Sequence, residues 1–233
     1  MTQLEVRRWG RTRYAEAHAL QEELLAKRIE DELGDLLILT EHEPVITIGR
    51  GTPAEEQRAL AGTGIEVVEV ERGGEATYHG PGQLVAYPIL KLDESRRDLH
   101  RYLRDLEEVV IGVLAELDLE GTRRPGLTGV WIGPRKVCSI GVAVRRWVTW
   151  HGLALNLHTD LAPFRRFHPC GLSPDVMTRV ADHVELPPTN LLGEVLLVKH
   201  FCRVFGHELP PVAPLAPGEP EPAGPGFRPL PVL

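Results

Sequence analysis

Cysteine is the most nucleophilic side chain at neutral pH, and this sequence has three, Cys138, Cys170 and Cys202. Cys170 is set apart by its neighbours. Pro169 fixes the approach to it and Gly171 permits a sharp turn after it. A sulfur held at such a turn is exposed, with backbone N–H groups nearby that could receive an oxyanion. A free thiol with a pKa of about 8.5 is only a few per cent thiolate at neutral pH, so it needs a cation or a base beside it. Lysine is the cationic side chain that can also give up its proton under mild desolvation, and lysine is scarce here. Of 26 basic residues only Lys27, Lys91, Lys136 and Lys199 are lysine. Lys136 directly follows Arg135, where another fixed cation would have matched the rest of the chain. Taken singly, a lysine on a strand is most often a surface residue, and a cysteine before glycine is most often structural.

The stretch "RGGEATYHGPGQLVAYPIL" (72–90) is the other candidate. Its glycines do not have the spacing of a phosphate cradle. Gly80 and Gly82 form G-x-G, but Val85 occupies the next glycine position of a dinucleotide fingerprint, and no G-x-x-x-x-G-K-[ST] occurs in the chain. Two uses remain. Gly73 and Gly74 can take positive φ and let a ligand lie against bare backbone, or "HGPGQ" is a tight turn that delivers Gln83 and a strand.

Three further blocks stand downstream: "GVWIGPRKVCSIGV" (129–142), "RWVTWHGLALNL" (146–157) and "FHPCGL" (167–172). Together with the glycine stretch, in this order, they resemble the lipoyl(octanoyl) transferases over roughly residues 5–205. That family's pattern has an RGG-x-x-T-Y-H-G-P-G-Q loop, a G-V-W segment leading to a lysine and an I-G, an H-G-x-A-x-N segment, and a P-C-G. The sequence departs from it in three places: Cys138 and Ser139 stand where small residues such as alanine are usual, His168 stands where an aliphatic residue is expected, and the chain after 206 lies outside the pattern.

The resemblance implies an acyltransferase that moves an octanoyl group from octanoyl-acyl carrier protein to a lysine of a lipoyl domain, the first step of lipoate cofactor biosynthesis. It implies a ping-pong reaction through a Cys acyl-thioester, with a catalytic dyad that maps onto Cys170 and Lys136. Protonated Lys136 would stabilise the thiolate; once the sulfur is acylated and neutral, the same residue can accept a proton from the incoming amine. The family's substrate-contacting segments fall on Arg72, Gly73, Gly74, Glu75, Ala76, Thr77, Tyr78 and His79, on Ser139, Ile140 and Gly141, and on Gly152, Leu153 and Ala154. Their small side chains suit a narrow acyl slot, and burying an eight-carbon chain there would be worth on the order of 5 kcal/mol at about 0.8 kcal/mol per methylene. His79 is expected to orient substrate or bond a backbone carbonyl. His151 and Asn156 are expected to hold strands in place, and Cys202 to pack in the core. The implied partners are the acyl carrier protein as donor, and the lipoyl domains of 2-oxoacid dehydrogenases and the glycine-cleavage carrier protein as acceptors. No cofactor and no metal are expected, and the chain is expected to be a monomer.

Composition is compatible with this. The net charge of −7 argues against binding nucleic acid through phosphate contacts. The arginine pairs at 7–8, 123–124, 145–146 and 165–166 are either ordinary solvated surface or local docking sites for an acidic partner. No apolar stretch approaches the roughly 20 residues of a membrane span, and the N-terminus has no apolar core of secretory type. Sparse cysteines without a close pair point to reduced thiols in a cytoplasm and away from a cysteine zinc site.

The elements that must position these residues are read from periodicity. Strands are expected at 4–9, 35–40, 44–49, 65–70, 83–90, 118–123, 128–132, 136–144 and 147–157, with Pro88 marking an edge or an end. Helices are expected from a Thr12 cap to about Leu33, over 53–62, over 97–117 and over 187–206. The third is clearest, with Leu99, Tyr102, Leu103, Leu106, Val109, Val110, Val113, Leu114 and Leu117 on one stripe. The sum is an α+β (mixed α/β) domain over 1–207, with a Pro-rich extended or disordered tail over 208–233; nine of the 20 prolines lie from Pro210 onward. The resemblance adds a larger mixed sheet, a smaller sheet and outer helices, the biotin/lipoate ligase type. Three other functions compete: an ATP-dependent ligase of this fold that activates a free acid and needs no cysteine nucleophile, a non-catalytic domain that binds acyl carriers, and a Cys-dependent hydrolase.

Overall fold

The structure is a computed structural model that describes residues 2–60, 62–167 and 172–210. Strands β1 (Thr2–Thr12), β2 (Asp35–His42), β6 (Gln83–Ile89), β7 (Gly121–Arg124), β8 (Leu127–Ile132), β9 (Arg135–Arg145), β10 (Val148–Asn156) and β11 (His207–Glu208) form an eight-stranded mixed sheet in the order β11-β1-β2-β6-β10-β9-β8-β7. Strands β3 (Val45–Ile48), β4 (Glu66–Glu69) and β5 (Thr77–His79) form a three-stranded sheet in the order β4-β3-β5. Helices α1 (Tyr14–Ile29), α2 (Ala54–Leu60), α3 (Leu99–Ala115) and α4 (Asn190–Phe205) complete the fold, the α+β class with a larger and a smaller sheet.

The central strands are buried on both faces, which is why they read as unbroken apolar runs instead of alternating ones. In β2, Leu37 and Leu39 join Leu106, Val110, Val113 and Phe201 under α3 and α4. Leu36 and Ile38 point the other way, to Leu24 and Leu25 of α1. The same alternation divides Leu84 and Ala86 of β6 from Val85, Tyr87 and Ile89. The small sheet has its own core around Ile46, Tyr78, Phe164 and Phe167.

Three local expectations need correction. Thr12 does not cap α1. It remains in β1, where its hydroxyl is 3.1 Å from Thr40 Oγ1 and 3.1 Å from His42 Nδ1, and Arg13 takes the N-cap without a side-chain bond. The helix also ends at Ile29 rather than Leu33. Pro88 marks a strand end, one of the two expected alternatives: β6 closes at Ile89, and the strand lies between β2 and β10. Its missing N–H is harmless there: the β6–β10 ladder stops at Ala86, and Thr149 bridges the gap, accepting from Leu90 N at 3.1 Å and donating to Pro88 O at 2.9 Å. Leu99, placed on the buried stripe of α3, is 43% exposed in the helix's first turn. The residues β11 adds, His207 and Glu208, pair with Thr2 and Gln3; residues 211–233 lie outside those described.

Helix α4 depends on a side-chain cap, the Thr189 hydroxyl accepting from Leu192 N at 3.2 Å, and on Gly206 in the left-handed conformation at its end. Thr189→Ala should therefore lower unfolding stability by about 1 kcal/mol, read as a shift in urea midpoint at unchanged slope. An unchanged midpoint would mean that the cap contributes nothing.

Candidate active site

Lys136 opens β9 and is 2% exposed. Its ammonium lies over the Trp131 ring, 5.4 Å from the centroid. The neighbouring backbone has to be bare. A Cβ on Gly129 would come within 2.7 Å of Lys136 Cε and 2.5 Å of Cys138 O, and Gly129 holds φ at +133°, a conformation open to glycine alone. The G-V-W block thus supplies the space for the lysine stem and the aromatic face beneath its head. Glu107, completely buried on α3, fixes that block by accepting from Gly129 N at 3.0 Å. Arg104 at 2.6 Å and Arg123 at 3.0 Å neutralise the carboxylate. Nothing in the heptad-like stripe of α3 marked Glu107 as buried, since the spacing of apolar residues is silent about an acid between them.

A buried chain of hydrogen bonds runs from the glycine stretch to this lysine. His79 Nδ1 is 2.7 Å from Gln83 Oε1. Gln83 Nε2 donates to Asn156 Oδ1 at 2.9 Å and to Tyr78 O at 3.2 Å, so Oε1 is its acceptor and His79 carries the proton on Nδ1. Asn156 Nδ2 donates to Thr178 O at 2.9 Å, and Thr178 N donates to Lys136 O at 2.9 Å. His79 Nε2 is left as the acceptor for the Thr47 hydroxyl at 3.3 Å, and Thr47 Oγ1 in turn accepts from Arg72 Nη2 at 2.8 Å. Burial, reinforced by His42 and Arg72, lowers the His79 pKa to about 3 and keeps the ring neutral.

The glycine loop packs on β9 through backbone. Gly73 N donates to Val142 O at 2.9 Å, and a Cβ on Gly141 would meet Gly73 O at 3.0 Å and Arg72 Cδ at 3.1 Å. Of the two loop glycines, Gly74 takes positive φ, +81°. Between loop and sheet lies a slot lined by Arg72, Gly74, Thr77, His79, Ser139, Ile140, Gly141, Gly152, Leu153 and Ala154, together with Tyr14, Val85, Tyr87 and His151. Gly73, Glu75, Ala76 and Tyr78, named with the same segments, are not in its wall; Ala76 and Tyr78 pack in the small-sheet core. The slot has a volume of about 40 Å³. A wider groove of about 440 Å³ opens at the Lys136 end of β9, between Arg135, Leu161, Arg165, Asp175, Met177 and Arg179.

Cys170, with His168, Pro169 and Gly171, lies outside the described residues. The flanking chain brackets the groove: Leu161 and Arg165 stand before it, and Met177 after it forms a bridge to Lys136. Cys138 is fully buried, donates weakly to Ser139 O at 3.5 Å, and has its pKa pushed up to about 12 by desolvation. That environment makes it a core residue, not a nucleophile. Cys202 is likewise buried in the α3–α4 core. Asn156 ties segments together as expected, but the His151 ring does not, since neither ring nitrogen makes a hydrogen bond. The arginine pairs are largely occupied by acids of the same chain: Arg8 by Glu194, Arg123 by Glu107 and Glu108, Arg146 by Glu30, and Arg165 by Asp175.

The fold, with its larger and smaller sheets and a slot between the glycine loop and the larger sheet, is that of a known class of catalytic domain. Residues 13–201 match the lipoyl protein ligase A/B catalytic domain, and the chain belongs to that family. An octanoyltransferase of Rubrobacter xylanophilus is 52% identical over 215 residues, covering 87% of this chain and 94% of the relative. One from Nostoc sp. is 48% identical over 200 residues, covering 84% and 89%. Among solved structures, a bipartite lipoate protein ligase from Thermoplasma acidophilum superposes with a TM-score of 0.71 over 90% of this chain and 86% of its own; at 20% identity it speaks for the fold alone. Among the described residues no helix is long and apolar enough to cross a membrane.

Gln83 is the centre of the hydrogen-bond chain. Gln83→Met, close in volume, leaves His79, Tyr78 and Asn156 with unpaired buried groups and should cost roughly 1–3 kcal/mol in chemical denaturation, with a fall in turnover. Wild-type stability would show the chain to be incidental. The buried imidazoles predict a pH response as well. His42, lowered to about 4, and His79, lowered to about 3, must stay neutral in the fold, whereas unfolded histidine titrates near 6.5. The unfolded state therefore binds more protons between these values, so stability is fully present above about pH 6.5 and is lost as pH falls toward 4. A denaturation midpoint that stays flat from pH 7.5 to 5 would contradict neutral imidazoles at both positions.

Proposed function

We propose that this chain transfers an octanoyl group from an acyl carrier protein to a lysine of a lipoyl domain, through a thioester on Cys170 with Lys136 as its proton partner. The observation that carries the reading is the seating of Lys136: a buried lysine over Trp131, with its backbone bonded to Thr178 a short way past Cys170. The relatives named octanoyltransferase, 44–52% identical over most of the chain, support the acyl group and the reaction class.

In the first half-reaction the Cys170 thiolate attacks the carrier thioester. The carrier sulfur leaves and takes the proton held on Lys136. The arm that brings the thioester enters by the groove beside Arg135 and Arg165, and the acyl tail occupies the slot along Ser139–Gly141 and Gly152–Ala154. In the second, the acceptor amine attacks the enzyme thioester, neutral Lys136 takes a proton from the amine, and Cys170 leaves as thiolate. No step consumes ATP. The acceptors are the lipoyl domains of 2-oxoacid dehydrogenases and the glycine-cleavage carrier protein, and the enzyme acts as a monomer in the cytoplasm.

Mass analysis of the intact chain after incubation with octanoyl-carrier protein, without ATP, should show one octanoyl adduct that Cys170→Ala abolishes. An adduct that survives this change and disappears in Cys138→Ala moves the nucleophile to the other sulfur; a product that forms only with free octanoate and ATP makes the chain a ligase. Lys136→Arg keeps the charge but cannot serve as base, and should reduce kcat by on the order of 10² or more.

A further inference from the structure

His18 on α1, Glu71 in the loop after β4, and His151 on β10 meet beside the slot, away from Lys136. Each offers one donor atom, and the three donors lie within 4.8 Å of one another. His18 Nε2 is 3.0 Å and His151 Nε2 is 3.8 Å from the same oxygen, Glu71 Oε2. A tetrahedral zinc ion with bonds of about 2.1 Å places its donors about 3.4 Å apart, between those two spacings. The third spacing, between the two imidazoles, is within 4.8 Å, and the side chains of His18 and Glu71, 19% and 43% exposed, give an ion its path from solvent.

His151 is the second observation. It is 1% exposed, and both of its ring nitrogens lack a hydrogen-bond partner. A buried imidazole in that state is rare and unfavourable unless something else binds it. Its backbone is strained too, at φ +55°, and is held by a bond from His151 N to Gln21 Oε1 at 3.1 Å. The fold thus keeps an unpaired imidazole pointed at a carboxylate and a second imidazole. On the far side of His18, Nδ1 faces Glu22 Oε2 at 3.8 Å, the outer carboxylate that metal-bound histidines commonly have. The nearby cation Arg72 is turned to acceptors, Thr47 O at 2.9 Å and Glu75 O at 2.8 Å.

We propose that this chain binds one zinc ion, or a divalent transition ion of similar preference, through His18, Glu71 and His151. Two imidazoles and one carboxylate are a zinc donor set that leaves a fourth position for water. The ion is not at the reacting atoms. His151 pairs with Val142, six positions along β9 from Lys136 (142 − 136), or about 20 Å at about 3.4 Å per residue. It clamps α1, the base of the glycine loop and β10 where the acyl tail would end.

The full-length chain, stripped by a chelator and dialysed, is titrated with Zn²⁺ in competition with a chromophoric chelator. One equivalent should bind at micromolar concentration or tighter, and at least tenfold more weakly in His18→Gln, Glu71→Gln and His151→Asn. Asparagine tolerates the positive φ at 151, and the partly exposed His18 and Glu71 variants decide the matter if the third misfolds. Thermal midpoints should rise with Zn²⁺ in the parent only. Bound Co²⁺ should show visible ligand-field bands without a near-ultraviolet thiolate band. Equal affinity in the variants, no saturable binding below millimolar Zn²⁺, or a thiolate band placing the ion on a cysteine would each overturn the site. These readouts do not depend on the acyl-transfer reading.

Discussion

The arrangement depends on one buried polar chain, His79–Gln83–Asn156–Thr178–Lys136, which joins the small sheet, β6, β10, the segment past Cys170, and β9. Each bonding group is neutral, Thr178 and Lys136 taking part through their backbone, and each bond has a defined donor. A half-satisfied network in such a core would be worse than apolar packing, so its members hold one another to a single set of rotamers. The outcome is a lysine backbone fixed against the Thr178 segment by buried side chains from three other strands. This gives the T-Y-H-G-P-G-Q and H-G-x-A-x-N blocks a physical reason to occur together, since His79 and Gln83 come from the one and Asn156 from the other.

Around this chain, space is made by omission of side chains. The lysine stem crosses Gly129, and the loop carrying Arg72 rests on Gly141. Charge is handled with the same economy. Among the described residues the one completely buried carboxylate, Glu107, is spent on a backbone N–H and two arginines, and so steadies the G-V-W segment instead of competing for the ammonium. The thiol nearest in sequence, Cys138, is silenced by desolvation.

Much of this was legible in the sequence, and the rest failed for identifiable reasons. The doubly buried strands showed as apolar runs, and α3 as a stripe, because burial there follows local periodicity. The slot segments could be named because family motifs place small residues at walls. Periodicity misplaced the start of α1, since the Thr12 hydroxyl was already taken by Thr40 and His42 across strands far apart in sequence. It missed β5, whose three residues are too short to show a pattern. Tyr14, Val85, Tyr87 and His151 were missing from the slot because each arrives from an element whose approach is set by tertiary packing. Glu107 and the His18–Glu71–His151 group were hidden for the same reason: no spacing rule links residues so far apart.

The slot, at about 40 Å³, has room for no more than a few water molecules. On the acyl-transfer reading an eight-carbon chain needs more room than this, so Ile140 and Leu153, which face the slot, would have to part to admit it. Every methylene that entered would be dried on both sides, while one that stopped short would leave the walls beyond it closed. The length of a bound tail would then be set by how far those walls part.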